Sequence, residues 1–187
     1  MGDHHVVKTV MANLANIPTR DKEGNLRAVV ETPRASCAKI KFDEELKTFV
    51  FSRPLVLGVT YPYDWGFFPS TRAADGDPLD VMIYHDATTF PGVVIPCKAI
   101  GVVRLSQKSK KGRERNDRII AVPVDEPRYN DARNLQRRVR NELEQFFLTV
   151  VCFEGKGVRV EGWEGPKAAE KLIGEAQHTF DAGARSA

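Results

Sequence analysis

The sequence predicts an α+β protein that is mainly β, with a closed or nearly closed antiparallel barrel followed by two helices. Short runs rich in Val, Ile and Phe, separated by turns that contain Pro and Gly, occupy most of the first two thirds of the chain. From about residue 132 the apolar residues recur at helical spacing instead. A length of 187 residues, without repeats or a linker, predicts one domain over 1–187.

The β-rich part follows a segment with weak periodicity, so residues 1–25 are predicted to form an irregular N-terminal arm. Seven strands are then predicted, because β-branched and aromatic residues pack well on a pleated surface. Their ranges are 26–31, 38–42, 48–53, 79–84, 93–105, 118–123 and 158–163.

The two helices are predicted from periodicity and a start signal. Apolar residues at three- and four-residue intervals predict a long helix near 132–151. They are Leu135, Val139, Leu143, Phe146, Phe147 and Val150. Pro166 suits the first turn of a second helix near 166–180, and residues 183–187 are predicted to be a frayed tail.

Bulk properties exclude some function classes. The formal net charge is +3, which gives no overall reason to expect nucleic acid or a membrane as partner. No apolar run approaches eighteen residues and the first residues do not resemble a secretory signal, so neither a membrane span nor export is expected. Three cysteines without metal-ligand spacing, Cys37, Cys97 and Cys152, predict reduced core thiols in a cytoplasmic protein.

The most informative segment is 75–81, Asp-Gly-Asp-Pro-Leu-Asp-Val, which places three carboxylates within six residues. Carboxylate oxygens are hard ligands that suit Mg²⁺, Mn²⁺ or Ca²⁺, and three of them close together repel unless a cation neutralises them. An EF-hand is excluded because Asp80 stands at the sixth position, where that loop needs glycine. The segment alone is compatible with a divalent metal site or with a solvated acidic turn before a strand.

This segment resembles the signature of the family I soluble inorganic pyrophosphatases, Mg²⁺-dependent enzymes that hydrolyse pyrophosphate to two phosphates. Further matches in family order are Val29-Val30-Glu31-Thr32-Pro33, Tyr61-Pro62-Tyr63-Asp64-Trp65-Gly66 and Val160-Glu161-Gly162-Trp163. The resemblance covers roughly residues 26–180. It implies an OB-like five-stranded barrel flanked by helices, and a homo-oligomer, typically a hexamer.

Site roles follow from the resemblance, position by position. Asp75 and Asp80 would hold the metals that generate a nucleophilic hydroxide, and Asp77 would be the general base for that water. Glu31 would be a carboxylate at the substrate-side metals. The residues at phosphate-binding positions are Lys39, Arg53 and Tyr61. The implied cofactor is Mg²⁺, with Mn²⁺ as the alternative, and the implied substrate is pyrophosphate or a related phosphorylated small molecule.

Several positions depart from the family pattern, mostly on the substrate side of the site. Lys41 stands where the family has a second metal-side Glu, and Trp65 replaces a tyrosine. Arg118 occupies a phosphate-binding Lys position. The remaining departures are Gln107 and Asn116 in place of metal-binding aspartates, with Asp117 one residue away as an alternative ligand, and Val150-Val151 in place of a Tyr-Lys pair that contacts the leaving phosphate.

These departures have chemical consequences. An amide oxygen can coordinate Mg²⁺ but neutralises no charge, so metal sites that use Gln107 and Asn116 are expected to be weaker. One interpretation of Lys41 is that it supplies positive charge directly to a phosphate. The basic segment 108–118 is compatible with a solvated loop or with a lid for a bulkier phosphorylated ligand.

The sequence is compatible with three functions. The first is a Mg²⁺-dependent hydrolase acting on pyrophosphate or on a related di- or polyphosphate, with reduced or shifted activity as one version. The second is a catalytically silent relative that binds an anionic ligand or a partner. The third is an OB-like nucleic-acid binder, which the low net charge and the acidic segment disfavour.

Overall fold

A computed structural model describes residues 13–110 and 112–185. The strands are β1 (Leu26–Thr32), β2 (Ala38–Asp43), β3 (Thr48–Pro54), β4 (Asp64–Phe68), β5 (Leu79–Ile83), β6 (Val94–Ser109), β7 (Gly112–Arg115), β8 (Arg118–Pro123) and β9 (Arg159–Glu164). The helices are α1 (Arg137–Thr149) and α2 (Pro166–Arg185). The mainly β, α+β class predicted from the sequence is confirmed.

Five strands close into a barrel in the order β1-β4-β5-β8-β6, because β6 also pairs with β1. The predicted OB-like five-stranded barrel is therefore confirmed, but the prediction that it is antiparallel was wrong for one pairing, because β5 and β8 are parallel. Strands β7 and β9 extend the sheet from β6, while β2 and β3 form a separate hairpin. Helix α1 packs on one apolar cluster through Leu143, and α2 packs on another through Ile173.

Strand β4 was not predicted, because its segment matched a turn-like family motif. All five of its residues are buried. Gly66 lets β4 approach β1 closely, since a Cβ at this position would lie 1.8 Å from the carbonyl oxygen of Val29. A glycine in the middle of a strand thus marks the contact that helps to close the barrel.

The basic segment 108–118 is a β-hairpin rather than a loop. Strand β6 runs to Ser109 and pairs with β7 as far as Ser106 opposite Arg115. Arg113 donates hydrogen bonds to the side chain and carbonyl of Ser106, and Arg115 lies 3.3 Å from Glu161. The described arginines of this hairpin are therefore held by the fold, and Lys111 lies outside the described residues.

Helix α1 is shorter than predicted, and helix α2 is longer. Residues 132–134 form a separate 3₁₀ turn, with the Arg133 N–H donating to Asp131 Oδ1 at 2.9 Å. Gln136 has an extended backbone (ψ 137°), so α1 starts only at Arg137. Helix α2 runs five residues beyond the predicted end, to Arg185, and residues 186–187 of the predicted frayed tail lie outside the described range.

The N-terminal arm, the cysteines and the length of the helices were also predicted from the sequence. The described part of the N-terminal arm holds a 3₁₀ turn at Leu14–Asn16, and residues 1–12 lie outside the described range. Cys97 is buried as predicted, but Cys37 and Cys152 are exposed, so the prediction of core thiols was wrong for these two. Neither helix in the described ranges has the length and apolar character needed to cross a bilayer.

Candidate active site

The acidic segment forms a tight turn that leads into β5. Gly76 adopts a left-handed conformation (φ +91°) that favours glycine. The Asp77 N–H donates to Asp75 Oδ1 at 3.2 Å, and the Leu79 N–H donates to Thr71 Oγ1 at 2.9 Å. These hydrogen bonds curl the chain and hold the carboxylates on one turn.

This turn borders an open cavity of about 340 Å³ that we call the acidic cavity. Its acidic lining residues are Glu31, Asp43, Glu44, Glu45, Asp77 and Asp80. Lys41 also lines it, and its Nζ lies 3.6 Å from Asp77 Oδ2. The ammonium therefore faces a carboxylate in this structure rather than joining the phosphate-binding cations, which differs from the charge-supplying role interpreted from the sequence.

The electrostatics of the acidic cavity favour a cation. Glu31 is 8% exposed, and its Oε1 accepts the Phe42 N–H at 2.8 Å. Burial raises the pKa of Glu31 to about 7, and the charge of Asp80 acts in the same direction. Burial also raises the pKa of Asp75, with contributions from Asp80 and Asp77. The carboxylates thus lie close enough to disfavour one another's ionisation.

A second cavity, which we call the basic cavity, is lined by four cations: Lys39, Arg53, Arg118 and Lys156. The pairing of β2 with β3 sets Lys39 directly opposite Arg53. Tyr61 lies in its wall, and burial raises the pKa of this phenol while it lowers the pKa of Lys39. The three phosphate-binding residues predicted from the sequence therefore line the same cavity.

Lys156 was missed by the sequence reasoning, which registered only the loss of a Tyr-Lys pair at Val150-Val151. Lys156 follows α1, five residues after Val151, and its side chain lines the basic cavity. Its Nζ lies 2.8 Å from Glu154 Oε2, and the other oxygen of Glu154 binds Arg53. A lysine between two glycines, Gly155 and Gly157, was the available signal in the sequence.

The two cavities meet at an ion pair. Asp80 lines the acidic cavity, Arg118 lines the basic cavity, and Arg118 Nη1 lies 2.9 Å from Asp80 Oδ2. The Arg118 guanidinium also lies over the ring of Trp65, 5.2 Å from its centroid. The residue predicted to bind phosphate is thus tied to a residue predicted to bind metal.

The predicted metal ligand Asp117 is already engaged by the protein. Its Oδ2 accepts from Arg104 at 2.6 Å, and its Oδ1 accepts the Leu105 N–H at 3.0 Å. Arg104 is also bound by Glu164 at 2.8 Å. Asp117 lines a small cavity together with Asp75, Asp80 and Asn116, so its role as a metal ligand stays a prediction, although both of its carboxylate oxygens already accept hydrogen bonds from the protein.

Donor chemistry decides which parts of the site fit a divalent cation. Within 13–110 and 112–185, no three His, Cys, Asp or Glu side chains are already gathered as a ligand set. The turn that carries Asp75 and Asp77, next to Asp80, nevertheless offers hard carboxylate oxygens whose mutual repulsion a cation would relieve. Asn116 does not fit, because its Oδ1 accepts from Arg118 at 2.5 Å.

The fold and the two cavities define an OB-like barrel protein whose site suits phosphate groups on one side and a divalent cation on the other. A family model described as inorganic pyrophosphatase matches residues 28–181, and the chain belongs to this family.

Relatives and solved structures agree with this family. An inorganic pyrophosphatase of Synechocystis sp. is 35% identical over 171 residues, covering 90% of this chain and 99% of the relative. One of Methanosarcina acetivorans is 38% identical over 155 residues, covering 81% and 90% respectively. The crystal structure of inorganic pyrophosphatase from Thermus thermophilus superimposes with a TM-score of 0.83 and 31% identity, covering 91% of this chain and 99% of that one.

Proposed function

We propose that this chain hydrolyses pyrophosphate to two phosphates with Mg²⁺ as cofactor and Mn²⁺ as the alternative. The observation that carries the proposal is the contact between an acidic cavity and a cavity lined by four cations, within the barrel of this family. A multiply charged phosphoanhydride needs both cationic side chains around its phosphate groups and a site that activates water.

Asp75, Asp80 and Glu31 are the residues that would hold the metal. The metal would supply the charge that neutralises these carboxylates and would favour loss of a proton from water. Asp77 is the candidate general base, because its exposed carboxylate lines the acidic cavity beside Asp80. Lys41, at 3.6 Å, is placed to keep the Asp77 carboxylate oriented within this cavity.

The substrate's phosphate groups bind in the basic cavity. Lys39 and Arg53 approach from paired strands, Arg118 from β8, and Lys156 from the segment after α1. The phenol of Tyr61 is buried and protonated, so it donates a hydrogen bond to a phosphate oxygen. Arginine suits this task because its planar group binds two phosphate oxygens at once.

A second candidate is a relative that binds an anionic ligand without turning it over. It is favoured by the ion pair between Asp80 and Arg118, which occupies one oxygen of a predicted metal ligand. The nucleic-acid alternative loses support, because Arg113 and Arg115 of the basic hairpin are engaged by Ser106 and Glu161.

Phosphate release from pyrophosphate, measured with Mg²⁺, with Mn²⁺ and with a chelator, separates these candidates. The hydrolase is expected to release phosphate in a metal-dependent way. Tight phosphate binding without release in either metal would support the silent relative instead. Salt-dependent binding to single-stranded DNA, measured in parallel, is expected to be absent.

Glu154 is expected to weaken substrate binding, because it shares its carboxylate between Arg53 and Lys156. Burial alone would raise its pKa, but the hydrogen bond and charge of Lys156 and the charge of Arg53 lower the pKa of Glu154, so it stays ionised at neutral pH. Glu154→Gln should tighten inorganic phosphate binding about fivefold, or roughly 1 kcal/mol. Calorimetry checks this, with Glu161→Gln as a matched control outside the cavity; equal affinities in both variants would contradict it.

We also propose that the chain works as a single-domain cytoplasmic homo-oligomer, a hexamer as in family members of similar size. Its support is a set of large apolar side chains exposed on the isolated chain, Phe51, Leu57, Phe90 and Phe153. Light scattering after size-exclusion chromatography is expected to give about six times the chain mass of 20.9 kDa. A mass of one chain would contradict this.

A further inference from the structure

Three oxygens surround one nitrogen of Arg118. Nη1 lies 2.9 Å from Asp80 Oδ2, 2.5 Å from Asn116 Oδ1 and 3.1 Å from the carbonyl oxygen of Asp117. The side chain is only 15% exposed, and the ring of Trp65 covers the guanidinium. A carboxylate, an amide and a peptide carbonyl are the oxygen types that a hard divalent cation collects in proteins.

Two hydrogen bonds fix the orientation of the Asn116 side-chain amide, one from Arg118 and one to Gln107. Arg118 only donates, so Asn116 must present Oδ1 to it and its Nδ2 must donate to Gln107 Oε1, at 2.9 Å. Gln107 in turn donates Nε2 to Glu114 Oε1 at 2.9 Å. Both amide oxygens are therefore already accepting hydrogen bonds, which leaves this side of the site unsuited to a metal.

Charge balance explains why these residues occur together. Two carboxylates around a divalent cation sum to zero charge. Asp80, Asn116 and Arg118 also sum to zero, with the amide in place of one carboxylate and the guanidinium in place of the ion. An ion brought to Asp80 Oδ2 would meet the positive charge of Arg118 directly, so the two cations exclude each other at this point.

We propose that Arg118 is a built-in cation that replaces one bound divalent ion between Asp80 and Asn116. The chain is therefore expected to hold one divalent ion fewer than a variant that has an aspartate at 116 and lacks the Arg118 guanidinium, while Asp75 and Asp80 would still serve another metal. The inference deepens the proposed function, since it concerns the cations of the same site. Arg118 thus also orients Asp80, in addition to lining the basic cavity.

Manganese counting tests this without any turnover. Free Mn²⁺ is followed by electron paramagnetic resonance as it is titrated into wild type and into the double variant Asn116→Asp/Arg118→Met, which restores a carboxylate and removes the guanidinium. The double variant is expected to bind one more Mn²⁺ per chain than wild type. Lys110→Glu, an exposed hairpin position with the same change in net charge, should keep the wild-type number.

A single variant keeps the test decisive if the double variant does not fold. Asn116→Asp alone leaves Arg118 in place, so it is expected to bind the wild-type number of Mn²⁺ ions. An extra ion in this single variant, or an unchanged number in a folded double variant, would overturn the proposal. Neither result depends on phosphate release, so failure of the built-in cation is distinguishable from failure of the hydrolase.

Discussion

Replacing Asp77 with asparagine is expected to slow metal-dependent phosphate release from pyrophosphate by about 10²- to 10⁴-fold, the usual contribution of a general base. The amide keeps the size of the side chain but cannot accept a proton. The Asp77 N–H, which donates to Asp75 Oδ1, is unaffected by the change, so the turn should keep its shape. The measurement is initial-rate phosphate release at saturating Mg²⁺.

A matched control distinguishes the base from a general loss of negative charge. Asp86→Asn removes one carboxylate from an exposed residue that pairs with Arg34 at 2.9 Å, outside the acidic cavity. Its rate is expected to stay within about twofold of wild type. If Asp77→Asn were as active as this control, Asp77 would not be the base. Mn²⁺ binding and the melting temperature of each variant show that the site and the fold persist.

The parts of the site that the sequence predicted are those carried by short contiguous motifs. Asp75 and Asp77 lie on one turn, and Lys39, Arg53 and Tyr61 line one cavity, as expected from their positions in the chain. The grouping of Lys39, Arg53 and Tyr61 was implied by the family resemblance, whereas the crowding of Asp75 and Asp77 was visible in the residues themselves. The helical periodicity located α1 in the same way, although its start depended on the extended backbone at Gln136.

The parts that were missed depend on long-range geometry. The contact between the Arg118 guanidinium and Asp80 follows from the parallel pairing of β5 with β8. It could not be predicted from the spacing of Asn116 and Arg118 in the sequence. Lys156 enters the basic cavity only because the chain turns back after α1. Strand β4 was overlooked since its glycine, needed for close approach to β1, looked like part of a turn.

Ionisation of the buried Glu31 is expected to make the stability of the protein depend strongly on pH. Its pKa is about 7 in the folded chain, against an ordinary value of 4.5, because burial disfavours the carboxylate. Between these two values the folded chain binds more protons than the unfolded chain, so the free energy of unfolding falls as the pH rises from about 4.5 to about 7. The accumulated loss is on the order of 3 kcal/mol in metal-free protein.

Glu31→Gln should remove this loss, because the amide does not ionise while its oxygen can still accept the Phe42 N–H. Urea denaturation in a chelator, from about pH 5 to about pH 8, is expected to show the wild type losing stability toward high pH and the variant changing much less. Glu175→Gln, an exposed position on α2, serves as control and should follow the wild type. Parallel curves for wild type and Glu31→Gln would mean that Glu31 is ionised at little cost. Burial disfavours the ionised carboxylate, and a bound cation would stabilise it at neutral pH. Parallel curves would therefore also weaken the assignment of Glu31 as a metal ligand.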